Sequence, residues 1–95
     1  MTKYAIPRLI KMKWRFEGNE NEFIVYQNPF NGMLDILNPV ASKIFINCDG
    51  KKNIEEIAEI IMKEYKGATK ERIISDIVVF LEDLKSRKLA IIAEE

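Results

Sequence analysis

The sequence predicts a small α+β domain in which a three-stranded antiparallel sheet precedes three helices, βββααα. Two observations carry this. Up to residue 37 the apolar residues either alternate with polar ones or form short β-rich runs, and from Asn38 onward they recur at helical spacing. Polar turns around Gly18 and around Asn31-Gly32 separate the early runs, and connections this short make successive strands antiparallel. A chain of 95 residues carries one modest core, so residues 1–95 are read as one domain.

Residues 1 to 10 have no clear period, and Pro7 argues against regular structure there. Residues 11 to 16 alternate strictly, with Met12, Trp14 and Phe16 on one face and Lys11, Lys13 and Arg15 on the other. That pattern predicts a first strand whose aromatic face enters the core. Residues 22 to 26 are apolar on both faces and rich in β-formers, a second and central strand. After Asn28-Pro29-Phe30-Asn31-Gly32 comes a third strand, Met33-Leu34-Asp35-Ile36-Leu37.

Asn38 is a suitable N-cap and Pro39 a suitable first helical residue, since the proline lacks only an amide that would go unpaired there. Val40, Ala41, Ile44, Phe45 and Cys48 continue at helical spacing, and Asp49-Gly50 is expected to stop this helix. Asn53 with Glu56 reads as a capping box for a second helix, striped by Ile54, Ile57, Ala58, Ile61 and Tyr65 and ended by Gly67. A third helix runs from near Thr69 to about Ser86, with Ile73, Ile74, Ile77, Val78, Phe80, Leu81 and Leu84 in one wide apolar arc. Arg72, Asp76 and Asp83 fall opposite, and Val79 is an apolar residue out of place among them. Residues 88 to 93 read as a final extended segment. Three short helices beside a small sheet resemble a winged helix-turn-helix with its strands placed first.

Composition removes several classes of function. Fifteen basic and fifteen acidic residues balance to zero, whereas a dedicated nucleic-acid binder is usually distinctly basic. The charge is nevertheless segregated: residues 1 to 16 hold Lys3, Arg8, Lys11, Lys13 and Arg15 with no acid, and the chain ends in Glu94-Glu95. The chain has one cysteine, which fits a reducing cytoplasm, and no run long and apolar enough for a membrane span. Histidine is absent, which removes the commonest catalytic base and the commonest zinc ligand. Ser42, Ser75 and Ser86 therefore have no triad partner, and Cys48 on an inward helix face behaves as a small hydrophobe. No catalytic residue, metal or cofactor is expected.

Binding is left. The middle strand of a three-strand meander is fully paired, so the first and third strands are edges. Lys11, Lys13 and Arg15 guard the first edge. The third carries one charge, Asp35, and is either covered by the protein's own last helix or kept for a partner, which an extended peptide joins through main-chain hydrogen bonds.

A set of motifs narrows this. Leu37-Asn38, Ala41, Ile44 and Cys48-Asp49-Gly50 are followed by Ile54-Glu55-Glu56-Ile57, Asp76-Ile77, Phe80-Leu81, Leu84 and Lys88-Leu89. In this order and spacing, over roughly residues 23 to 92, they resemble the PqqD family of peptide-recognition proteins. The resemblance implies a non-catalytic chaperone that grips the leader of a ribosomally made precursor peptide in the groove between the third strand and the third helix; a monomer is the default expectation for its oligomeric state. It implies delivery of that peptide to a modifying enzyme, typically a radical S-adenosylmethionine protein. Carried over by position, the peptide contacts are Met33, Leu34, Asp35, Ile36 and Leu37 on the strand, with Arg72, Ile73, Asp76, Val79, Phe80 and Asp83 on the helix. Val79 thereby gains a role as an apolar groove contact. Asp35 stands where the family commonly carries an apolar residue, and the basic first strand is not a family hallmark. Related domains serve lasso and other modified peptides, so the resemblance does not select the pyrroloquinoline quinone pathway. The other readings are a winged-helix DNA-binding regulator, whose binding would fall steeply with salt, and a plain protein-interaction module.

Overall fold

The computed structural model describes residues 1 to 94; Glu95, the last residue of the acidic tail, lies outside the described residues. The elements in order are β1 (Ile6–Leu9), β2 (Trp14–Glu17), β3 (Phe23–Gln27), β4 (Leu34–Leu37), α1 (Pro39–Ile46), α2 (Ile54–Met62), α3 (Lys70–Ser86) and β5 (Ala90–Ala93). The expected meander is present as β2-β3-β4, antiparallel, with β3 in the middle and β4 as the expected third strand. Three helices follow it.

Residues 1 to 10 depart from expectation. They contain β1, which pairs antiparallel with β5 in a second, two-stranded sheet, Pro7 standing opposite Ile92. Proline is tolerated because of its register. The Ile10 amide donates to the Leu89 carbonyl at 3.0 Å, so alternate residues Arg8 and Ile6 make the ladder bonds while Pro7 faces away from β5. The outward edge is itself used: the Pro7 carbonyl accepts from Gly50 at 2.9 Å and Leu9 donates to the Cys48 carbonyl at 3.3 Å. Gly50 has φ +79, and a Cβ there would sit 3.1 Å from Arg8 Cδ, so this turn needs glycine.

The helix starts follow the caps read from the sequence. Asn38 Oδ1 accepts from the Ala41 amide at 2.8 Å with Pro39 at the first turn. Asn53 and Glu56 form the reciprocal capping box, and Thr69 Oγ1 accepts from Arg72. The ends fall earlier than expected. α1 stops at Ile46, where the Asn47 side chain donates to the Lys43 carbonyl at 2.8 Å, so Asp49-Gly50 belongs to the next turn. α2 stops at Met62, well before Gly67.

Ile44, Cys48, Ile54, Ile57, Ile61, Ile73, Ile77 and Leu81 build a core among the helices and under β1. Ile24, Tyr26, Leu37, Phe45, Leu84 and Leu89 build a second between the three-stranded sheet and the ends of α1 and α3. Phe80, Leu9 and Ile92 pack against both. Trp14 and Phe16, expected in the core, are 45% and 41% exposed. Trp14 does point to the helix side, edge-on to Phe45 at 5.9 Å, but β2 is the outer strand and the helix layer stops short of covering it.

Candidate functional site: an open strand edge beside a two-helix groove

The free edge of β4 follows from the register. The Asn28 amide donates to the Met33 carbonyl at 2.9 Å, and Tyr26 stands opposite Asp35 and Gln27 opposite Leu34. Alternation along the ladder then turns the backbone N–H and C=O of Asp35 and Leu37 toward β3, and those of Leu34 and Ile36 outward. At the far end of the strand the Ser42 hydroxyl accepts from the Ile24 amide at 2.9 Å and donates to the Leu37 carbonyl at 3.2 Å. Ser42 is buried and thereby locks α1 against the end of β4. The unpaired edge is thus tied to the helix layer at its Leu37 end.

Its side chains divide by face. Leu37 is buried, while Met33, Leu34 and Ile36 are 67%, 62% and 70% exposed. Asp35 lies on the helix side, where the Tyr26 hydroxyl donates to its Oδ2 at 3.0 Å and Arg87 Nη1 reaches the same oxygen at 3.5 Å. Arg87 Nη2 also grips Asp83 at 2.7 Å, so Asp35-Arg87-Asp83 ties the edge strand to the last turn of α3. Burial, and donation to Asp35, push the Tyr26 phenol above its ordinary value. Asp35 is therefore a structural tie as well as an edge residue.

Beside the edge lies an open groove of about 570 Å³ between α1 and α3. Asn38, Val40, Ala41 and Ile44 form one wall; Asp76, Val79, Phe80 and Asp83 form the other. Val79 is 65% exposed, as an apolar residue on the polar side of α3 should be. Asp76 pairs with Arg72 at 3.5 Å across one helical turn, and Arg72 lines the adjoining depression by Gly67 and Thr69. Of the residues expected at a peptide site, the structure brings Asp76, Val79, Phe80 and Asp83 into the groove wall, and Met33, Leu34, Asp35 and Ile36 onto the edge. Ile73 it does not: at 5% exposure it is a core residue of the helix layer. The α1 wall is absent from the sequence expectation. Val40, Ala41 and Ile44 carry the same spacing as a core stripe, and nothing local marks which part of that stripe stays open.

Burial, then the neighbouring Asp49, push the Cys48 thiol up to about 12, and its Sγ donates to the Ile44 carbonyl. Among the described residues no group of three or more His, Cys, Asp or Glu is placed to hold a metal ion, and no helix is long and apolar enough to cross a membrane.

The family model described as coenzyme PQQ synthesis protein D (PqqD) matches residues 28–90. The chain belongs to the PqqD family. The matched region begins at the turn before β4 and ends at the start of β5, so it holds the edge strand and both groove helices, while β1, β2 and β3 precede it. Among solved structures, TbiB1 in complex with the TbiA(beta) leader peptide is similar with a TM-score of 0.67 and 23% sequence identity, over 85% of this chain and 94% of that one. At that identity the likeness shows a shared PqqD-like fold. A search of the curated proteins finds no match.

Proposed function

We propose that this PqqD-family domain binds the leader segment of a ribosomally made precursor peptide as an added strand on β4, beside α3, and hands it to a peptide-modifying enzyme. The radical S-adenosylmethionine class is the expected enzyme, and the domain acts as a monomer with no catalysis of its own. One observation carries the reading: the outward N–H and C=O of Leu34 and Ile36 lie on an apolar edge beside the α1–α3 groove. Such an edge, left bare, invites aggregation, and a recruited strand satisfies it. The TbiB1 structure, of the same fold, holds a leader peptide, and family membership supports the same role here.

Within this reading Met33, Leu34, Asp35 and Ile36 meet the peptide directly, and Leu37 anchors the strand from its buried side. Val79 and Phe80 give the groove an apolar floor, while Arg72, Asp76 and Asp83 set charge at its rim. The same α3 face argues against reading DNA, since Glu71, Asp76, Glu82 and Asp83 would meet phosphates.

The test is calorimetric titration with synthetic leaders of short peptides encoded beside this chain, at two salt concentrations. Micromolar affinity that changes little with salt is expected, weakened by Asp76→Lys without loss of fold. Absence of binding to every such leader, or binding to duplex DNA that collapses with salt, overturns the reading.

A further inference from the structure

The three-stranded sheet has helices on one side only. Tyr26 stacks on Phe45 of α1 with ring centroids 5.4 Å apart, so the residues level with Tyr26 face the helices. Arg15, Val25 and Ile36 stand in one cross-strand line on the opposite face, with Lys13 and Leu34 beside them. A solvated antiparallel face normally alternates to polar residues. Here Leu34 and Ile36 are more than three-fifths exposed, and a depression of about 220 Å³ runs from Leu34 over Val25 to Lys13, Trp14 and Arg15. The free charge beside this apolar strip is cationic: Lys13 is exposed and follows the acid-free first residues, while Arg15 is paired at 2.6 Å with Glu17, the only acid in β2, on the same face.

We propose that this outer sheet face is a second interaction surface, fitted to a protein that presents carboxylates beside an apolar patch, and that the partner is the enzyme acting on the bound peptide. The inference rests on the strand-addition reading. A peptide added to β4 becomes the sheet's fourth strand, and every second residue of it lies on this outer face, next to Leu34 and Ile36. A partner seated across Lys13, Arg15 and Leu34 therefore touches the held peptide as well, which gives it a reason to prefer the loaded domain. Its carboxylates are required by charge complementarity, which acts mainly on encounter rate and on the exclusion of wrong partners. A second copy of this chain is disfavoured, because its own outer face offers Lys13 and a Glu17 already paired to Arg15 rather than a free carboxylate. Single-stranded nucleic acid is disfavoured by direction: Trp14 and Phe16 point to the helix side of β2 while Lys13 and Arg15 point away, so no single face both stacks bases and neutralises phosphates.

The experiment uses the full chain carrying Lys13→Glu and Arg15→Glu, with Lys13→Gln and Arg15→Gln as a milder second variant. Leader affinity is measured first by calorimetry, then the association rate of the purified modifying enzyme encoded beside this chain, with and without leader. Both variants should fold and bind leader as the parent does. The enzyme's association rate should fall at least tenfold in the charge-reversed variant, less in the neutral one, and the parent's rate should decline with salt. Leader binding lost in the parent refutes the strand-addition reading. Leader bound normally while the enzyme fails to bind the loaded domain, or binds both variants as fast as the parent, refutes the outer face. An oligonucleotide that binds the parent, loses affinity steeply with salt and is released by the charge reversal refutes the protein partner.

Discussion

Replacing Ile36 by proline separates the open edge from the rest of the fold. The N–H of Ile36 points away from β3, so the intrasheet ladder loses nothing, and proline is accepted on an edge strand in that orientation. An added strand would use four backbone groups, the N–H and C=O of Leu34 and of Ile36. At roughly 0.5–1.5 kcal/mol net for each hydrogen bond, the edge supplies about 2–6 kcal/mol of peptide binding. Proline at 36 deletes one donor and its ring occupies the line along which the peptide backbone must lie. A loss of roughly 1.4–2.8 kcal/mol follows, which is about 10- to 100-fold in dissociation constant. The contrasting substitution is Asp35→Pro, one residue earlier, where the amide points into the ladder toward Tyr26. That change leaves a buried acceptor unpaired, about 1–3 kcal/mol of stability, and also removes the carboxylate tied to Tyr26 and Arg87. Circular dichroism and thermal melting measure the fold, and calorimetry with leader peptide measures capture. Ile36→Pro should be folded and bind peptide about 10- to 100-fold more weakly, and Asp35→Pro should melt lower. An Ile36→Pro variant that is folded and binds leader with undiminished affinity refutes both the assigned register and the strand-addition reasoning.

Two further predictions concern the cores. Phe45 is 1% exposed and packs between the rings of Tyr26 and Trp14. Phe45→Ala should therefore cost about 3–5 kcal/mol, seen as a large fall in urea midpoint, and an unchanged midpoint would show that the sheet is held some other way. Cys48 is buried, and its thiol is pushed up from the ordinary thiol range to about 12. The folded state keeps this proton while the unfolded chain releases it, so its contribution is intact below pH 9 and is lost as pH rises toward 12, by about 4 kcal/mol at most. Tyr26, also raised, adds in the same direction. Urea unfolding from pH 8 to 11 should show stability falling, with a shallower fall in Cys48→Ala; equal slopes in the two proteins would contradict the burial argument.

Much of this protein is local and could be read from the chain. The caps at Asn38, Asn53 and Thr69, the change of period at residue 37, and the exposed Val79 each depend on residues within a turn or two of one another, where spacing alone decides the outcome. The ordered motifs from Leu37 to Leu89 pointed to the family by the same kind of information. The tertiary structure decided the rest. Pro7 looked like a breaker, yet β1 forms, because only its pairing with β5 determines whether the missing amide faces a neighbour or open space. Ile73 and Val40 both sit in apolar helical stripes, yet Ile73 is sealed in the core and Val40 lines the groove, because that choice belongs to how closely α1 and α3 approach. Trp14 and Phe16 alternate as core residues do, yet remain half exposed, because no helix extends over the outermost strand. The open edge itself needs the register of β4 on β3 before one can say which amides point outward. Propensity and period act along the chain, whereas burial, register and grooves are relations between surfaces that the chain brings together only when folded.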